Sequence, residues 1–299
     1  MRALLPDYAM HALHTRAAQG TAQIWRVLLA IVLMVAAYIS LSLVYREGLF
    51  ALITLTPSLQ EELGTGSSAR AMYLILLNFA VITASVAIAV RVVHRRPAIS
   101  VLGPLALLVP HFARVMGILV VLGLVVMVLP PYEIGGALVP HMAPGKWALL
   151  LPVSLIAVFI QISAEEVLFR GYLQQQLGAR FRSALVWMVL PSALFAIGHY
   201  QPAEAGGNAW IIVVWAFVFG MLMADLTARA GNIGPALAVH FVNNVGALLI
   251  TSLPDTLSGL ALFHTPFGMD DEAALMAWMP VDFAMMLCMW LAARLALRR

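Results

Sequence analysis

The sequence predicts an all-α integral membrane protein, a bundle of about eight transmembrane helices around an intramembrane polar cavity. Three observations predict it. Of 299 residues, 63% are hydrophobic and 10% charged, whereas an average soluble domain carries about 25% charged residues. Mean hydropathy is +0.94. Apolar runs recur along nearly the whole chain, each near the roughly 20 residues that carry a helix across about 30 Å of hydrocarbon. Water could not solvate so much apolar surface, so the bilayer is the solvent.

In chain order the runs place spans at 24–45, 71–93, 113–130, 147–170, 184–200, 209–228, 234–253 and 280–297. The first follows a polar, mixed leader; it is too long for a signal-peptide core and has no A-x-A-like cleavage site after it, so it is expected to stay. The fifth is the shortest. Pro235, after Gly231, Asn232, Ile233 and Gly234, suits the first turn of the seventh. The longest extramembrane stretch, 254–279, ends in an acidic and apolar piece from Asp270 that reads as a short interfacial helix. Neither a repeat nor an inserted soluble region is evident, and residues 1–299 read as one transmembrane domain.

The net charge of +3 and pI near 9.3 come from arginines between spans and do not point to nucleic acid. Arg2, Arg16, Arg26, Arg91, Arg95, Arg96, Arg114, Arg180, Arg182, Arg229, Arg294, Arg298 and Arg299 all fall on one side of the membrane. The other side carries Glu47, Glu61, Glu62, Glu133, Glu204, Asp255, Asp270, Asp271 and Glu272, with Arg46, Arg70 and Lys146 as its few positive residues. Positive residues stay cytoplasmic in short loops. Both termini are therefore expected in the cytoplasm, with an even number of spans. The lone cysteine, Cys288, excludes an intramolecular disulfide.

Three spans carry polar residues where these are expensive. Ionisable groups inside a span cost roughly 2.5–3.5 kcal/mol each on insertion scales, face the bundle interior and mark function by default. Glu165 and Glu166 end the fourth span with Phe169 and Arg170. Glu166 and Arg170, four apart, share a helix face and can pair. Glu165 is rotated about 100° from its neighbour, free to look elsewhere. The bland alternative is a headgroup-level charge cluster. Phe195, Gly198 and His199 close the fifth span; a lone histidine there is commonly interfacial, while Gly198 permits close approach of another helix. In the seventh, His240 and Asn244 share a face, where they could also merely hold helices together. A carboxylate, two imidazoles and an amide on three segments compose a hydrolytic set: a base for water and donors for a developing oxyanion.

On these residues the chain resembles the CAAX-protease and bacteriocin-processing family of intramembrane endopeptidases, which includes the Ras-converting CAAX endopeptidases. The family motifs E-E-x-x-x-R, F-x-x-x-H and H-x-x-x-N stand here, complete and in order, as Glu165 and Glu166 with Arg170, Phe195 with His199, and His240 with Asn244. The resemblance covers about 147–253. It implies that Glu165 activates water, that His199 assists, that His240 and Asn244 form the oxyanion site, and that Glu166 and Arg170 stabilise the local structure. It also implies a membrane-associated peptide or protein substrate, prenylated CAAX proteins being those of the eukaryotic relatives. The expected cofactor is none, because Asn244 stands where a second helical histidine ligand would help; zinc held by Glu165, His199 and His240 is the alternative.

One geometric condition follows. Glu165 lies about 7 Å along a helix from Arg170, taken as the membrane boundary, and His199 about 25 Å from Arg182. They meet only if the fifth segment begins below the surface, tilts, or bends at Pro191. The expected function is an intramembrane endopeptidase in a bacterial cell membrane. The runners-up are a proton- or cation-coupled transporter, for which an inverted repeat is missing, and a noncatalytic immunity or assembly factor.

Overall fold

The computed structural model of the protein describes residues 8–129 and 136–298. Arg2, Glu133 and Arg299, part of the charge pattern above, lie outside these. Among these residues the architecture is helical, with six helices long and apolar enough to cross a membrane and two shorter apolar ones at Leu185–Ile197 and Gly234–Ile250.

A short helix α1 (His11–Thr15) precedes α2 (Ile24–Leu52), the first span. A surface helix α3 (Pro57–Thr65) follows, with Thr56 capping its start and Gly66 its end. The second span breaks at Phe79 into α4 (Ala69–Asn78) and α5 (Ala80–Val92); Ser68 Oγ caps α4 by accepting from the Ala71 amide. The third, α6 (Leu105–Val128), starts eight residues earlier than its hydropathy suggests and contains Pro110. The fourth is a rod of three pieces, α7 (Pro144–Glu166), a π-helical stretch Val167–Gln174, and α8 (Gln175–Arg180), spanning 37 residues in all.

A π-helical turn at Leu185–Val189 leads into α9 (Leu190–Ile197). A turn of helix, α10 (Pro202–Ala205), precedes α11 (Ala209–Ala230), which Gly231 ends in a left-handed cap. The helix α12 (Gly234–Val245), with Pro235 in its first turn, continues as a third π-helical stretch, Gly246–Ile250. The last span, α13 (Glu272–Leu297), begins with Asp271 as its cap and passes through Pro280. The acidic piece from Asp270 is thus the cap and first two turns of the last span, not a separate interfacial helix, because Pro280 does not stop the helix. Two-residue strands β1 (Val139–Pro140), β2 (Thr251–Ser252) and β3 (Phe263–His264) form a small sheet in the order β1-β3-β2, antiparallel then parallel.

The two largest apolar clusters among the described residues lie one among α2, α4, α5, α7 and the start of α12, the other among α6, α9, α11, α12 and α13. Phe169, on the π-helical part of the rod, borders both. The outward faces of α2 and α6 are rows of exposed Leu, Val and Ile, the surface that lipid covers. The bundle interior tightens where α9 meets α11: a Cβ on Gly220 would lie 2.9 Å from that of Ser192. Gly198, expected to admit another helix, ends α9 with only its own chain near. Between α9 and α11 the close approach is made at Gly220.

Candidate active site

The site forms because two four-residue spacings face each other across α7 and α12. On α7, Gln161 and Glu165 lie one turn apart; on α12, His240 and Asn244 do. The helices meet in antiparallel order. His240 Nε2 lies 3.3 Å from Glu165 Oε2, and one turn away Asn244 Nδ2 donates to Gln161 Oε1 at 2.8 Å. Gln161, a neutral amide in an apolar run, is a member that the sequence reading missed; its spacing from Glu165 was the available signal.

Glu166 is fully buried, Arg170 1% exposed and His240 3%. All three share one carboxylate oxygen. Arg170 Nη1 donates to Glu166 Oε1 at 3.0 Å, and His240 Nδ1 donates to the same atom at 2.8 Å. Arg170 Nη2 also donates to the Gly220 carbonyl at 3.3 Å, so the glycine that brings α9 close to α11 supplies an acceptor too. The two glutamates differ as their rotation on the helix predicts: the Glu165 side chain keeps 14% of its surface, Glu166 none. Both nevertheless reach one imidazole, from opposite edges. With Nδ1–H given to Glu166, Nε2 is the ring edge that faces Glu165.

Phe195 assembles the rest. The Arg170 guanidinium lies 4.8 Å over its ring centroid, a cation–π distance; the His199 ring is 4.5 Å away and the His240 ring 6.3 Å. Phe219 meets His240 edge-to-face at 5.0 Å. These aromatic walls keep the dielectric low around the charges. His199 Nδ1 donates to the Phe195 carbonyl at 2.8 Å, which fixes the tautomer and leaves the Nε2 lone pair available. Asn243 donates to Asn244 Oδ1 at 3.1 Å. Held at both ends, the Asn244 amide retains one uncommitted N–H.

The depth expectation rested on taking Arg170 as the end of the span. Arg170 does not mark the membrane boundary; it is buried, and the rod runs ten residues further to Arg180. Glu165 therefore lies fifteen residues from Arg180 and His199 seventeen from Arg182, about 22 and 25 Å along ideal helices, at nearly one depth. Each motif also adjoins a π-helical stretch: after Glu166, before Phe195 and after Asn244. Such turns frequently accompany functional sites.

Among the described residues no three His, Cys, Asp or Glu side chains are grouped so as to hold a metal ion. His240 Nε2 lies 3.3 Å from a Glu165 oxygen and Nδ1 2.8 Å from a Glu166 oxygen. Beside the site lies a cleft of about 370 Å³ lined by apolar side chains, including Met34, Val86, Leu168, Phe169 and Leu194.

Comparison with known proteins agrees with the motifs. Over 263 residues the chain is 25% identical to a protein of Bacillus subtilis named uncharacterized protein YyaK, covering 84% of this chain and 86% of that one. No solved structure matches. Residues 147–246, the segment that carries all three motifs with their contacts, match the family model described as type II CAAX prenyl endopeptidase Rce1-like.

Proposed function

We propose that the protein is an intramembrane endopeptidase that hydrolyses a peptide bond in a membrane-associated substrate, using water activated by Glu165 and no metal. The observation that carries this reading is the chain of contacts from Arg170 through Glu166 and His240 to Glu165. Glu165 takes a proton from water as the water oxygen attacks the scissile carbonyl. His199, with Nδ1–H tied to its own helix, orients that water by accepting at Nε2. Once Glu165 is neutral it attracts the proton at His240 Nε2 less, and that N–H turns to the developing oxyanion, with the free amide N–H of Asn244 as the second donor; Glu165 then gives its proton to the departing amine nitrogen as the C–N bond breaks and the carbonyl re-forms. Glu166 and Arg170 hold His240 and do not touch substrate.

The apolar cleft beside Phe169 suits a substrate with a lipid-like chain, of which a prenylated CAAX peptide is the first to try. The arginine distribution supports cytoplasmic termini in a bacterial cell membrane. The test is cleavage of a quenched-peptide panel, with and without a prenyl group, by wild type and Glu165→Gln, each with and without a chelator. Cleavage lost in the variant and kept under chelation is expected. Loss under chelation refutes the metal-free step, and cleavage by Glu165→Gln removes that residue from the mechanism.

A further inference from the structure

Ahead of the first span, residues 8–21 fold back against the bundle. α1 presents His11 and His14, both buried. The His11 ring lies 4.1 Å from that of Trp187 and so near Gly178 that a Cβ there would stand 2.5 Å from its Cε1. The Tyr8 hydroxyl donates to Asp225 Oδ1 at 2.7 Å, and Gln175 Nε2 donates to the His14 carbonyl at 2.8 Å. The segment therefore grips α8, the turn that leads into α9, and α11.

One of its contacts reaches toward the site. His14 Nε2 lies 3.0 Å from the carbonyl oxygen of Arg170. A carbonyl only accepts, so Nε2–H donates. Arg170 sits within the π-helical stretch Val167–Gln174, where the backbone ladder is out of step with the α-helix on either side, and a donor from outside can there fix a carbonyl that the ladder holds less well. The other end of the same residue holds Glu166 and, through it, His240. A leucine would fill the His14 space without burying a polar ring. The directional bond is what the imidazole adds.

We propose that His14 is a positioning residue: by pinning the Arg170 carbonyl it sets where the guanidinium holds Glu166 and His240. The catalytic half of this inference rests on the endopeptidase reading above; the structural half does not. His14→Met and His14→Gln have similar size, and only glutamine keeps an N–H donor. Gly178→Ala keeps the His14 side chain itself but lifts α1, and His14 with it, away from the rod.

The experiment measures kcat, KM and thermal unfolding for the three variants, together with the ring-nitrogen NMR signals of His240 in micelles. Expected is a kcat about tenfold lower for His14→Met at unchanged KM, the effect of about one buried hydrogen bond, with the His240 signals moved. His14→Gln recovers most of both at the same unfolding temperature as His14→Met, and Gly178→Ala moves the His240 signals as His14→Met does. Equal kcat in the methionine and glutamine variants, or His240 signals unmoved in His14→Met and Gly178→Ala, overturns the proposal. If Glu165→Gln still cleaves, the endopeptidase mechanism fails while the NMR signals still decide the role of His14.

Discussion

Replacing Glu166 by glutamine keeps the shape of the side chain and removes one charge from a place with no water. Arg170, 1% exposed, then has no full counter-charge on its own face, and Glu165 touches His240 rather than the guanidinium. Breaking a buried pair by removing one partner costs about 3–5 kcal/mol, so Glu166→Gln is expected to lose that much, and Arg170→Met, which strands Glu166, a similar amount. The double variant carries neither charge. If the pair is a balance of desolvation and attraction, the double variant lies within about 1–2 kcal/mol of wild type, because a buried pair and a well-packed neutral pair are close in energy. Activity behaves differently. The double variant stays as inactive as Glu166→Gln is expected to be, since a neutral amide no longer gives the His240 Nδ1–H a charged acceptor. Unfolding in mixed micelles on an SDS titration gives the stabilities, and peptide cleavage gives the rates. A double variant whose loss equals the sum of the singles refutes the pairing, and one that regains cleavage refutes the part given to Glu166.

Two more expectations follow from particular contacts. Gln161→Leu removes the acceptor of Asn244 and frees the amide to turn; kcat falls about tenfold, one hydrogen bond's worth, with KM held, and an unchanged kcat excludes Asn244 from the oxyanion site. Stability falls on acidification: burial first, then neighbouring charge, holds His11 down to about 3 and His14 to about 4, against 6.5 in the unfolded chain. The unfolded state therefore binds more protons below pH 6.5. Stability is complete above that value and declines toward pH 4, by about 3 kcal/mol for His14 alone. Unfolding measured at pH 7 and pH 5 checks this, and a slope that persists in His11→Asn combined with His14→Gln assigns it elsewhere.

The site was legible where charge is costly and obscure where it is not. Glu165, Glu166, Arg170, His199 and His240 stand out of apolar runs, and the four-residue spacings of Glu166 with Arg170 and His240 with Asn244 gave their faces. Gln161 did not stand out, because one neutral amide in a span costs little; only its spacing from Glu165, the mirror of the pair on α12, betrays it. Arg170 misled about depth for the same reason that it revealed the site. An arginine near the end of an apolar run normally marks the headgroups, and the polar Gln174, Gln175 and Gln176 after it look like an exit from the membrane, yet all three are fully buried. Asp225 with Arg229 repeats the spacing of Glu166 with Arg170 and forms a second buried pair at 2.8 Å; it could have been read and was not. The π-helical turns have no sequence mark, since they are settled by packing between neighbouring helices.

The adjacency of Glu165 and Glu166 then has a physical reason. Four groups that would each be expensive alone in hydrocarbon stand in contact, and in the proposed mechanism, where His240 carries a proton on each ring nitrogen, their charges sum to zero. On the proposed mechanism the water proton neutralises Glu165 while a negative charge develops on the substrate carbonyl. The sum stays at zero: charge moves across the imidazole and none is created in a low-dielectric site, where making an isolated ion would add most to the barrier. That requires one carboxylate permanently paired and one free to change, both within reach of the same ring. Neighbouring positions on a helix, about 100° apart, satisfy it: Glu166 turns to Arg170 and is buried, Glu165 keeps some exposure, and His240 touches both. Glutamates a full turn apart would share a face, so both would meet Arg170 and neither would remain free to take a proton.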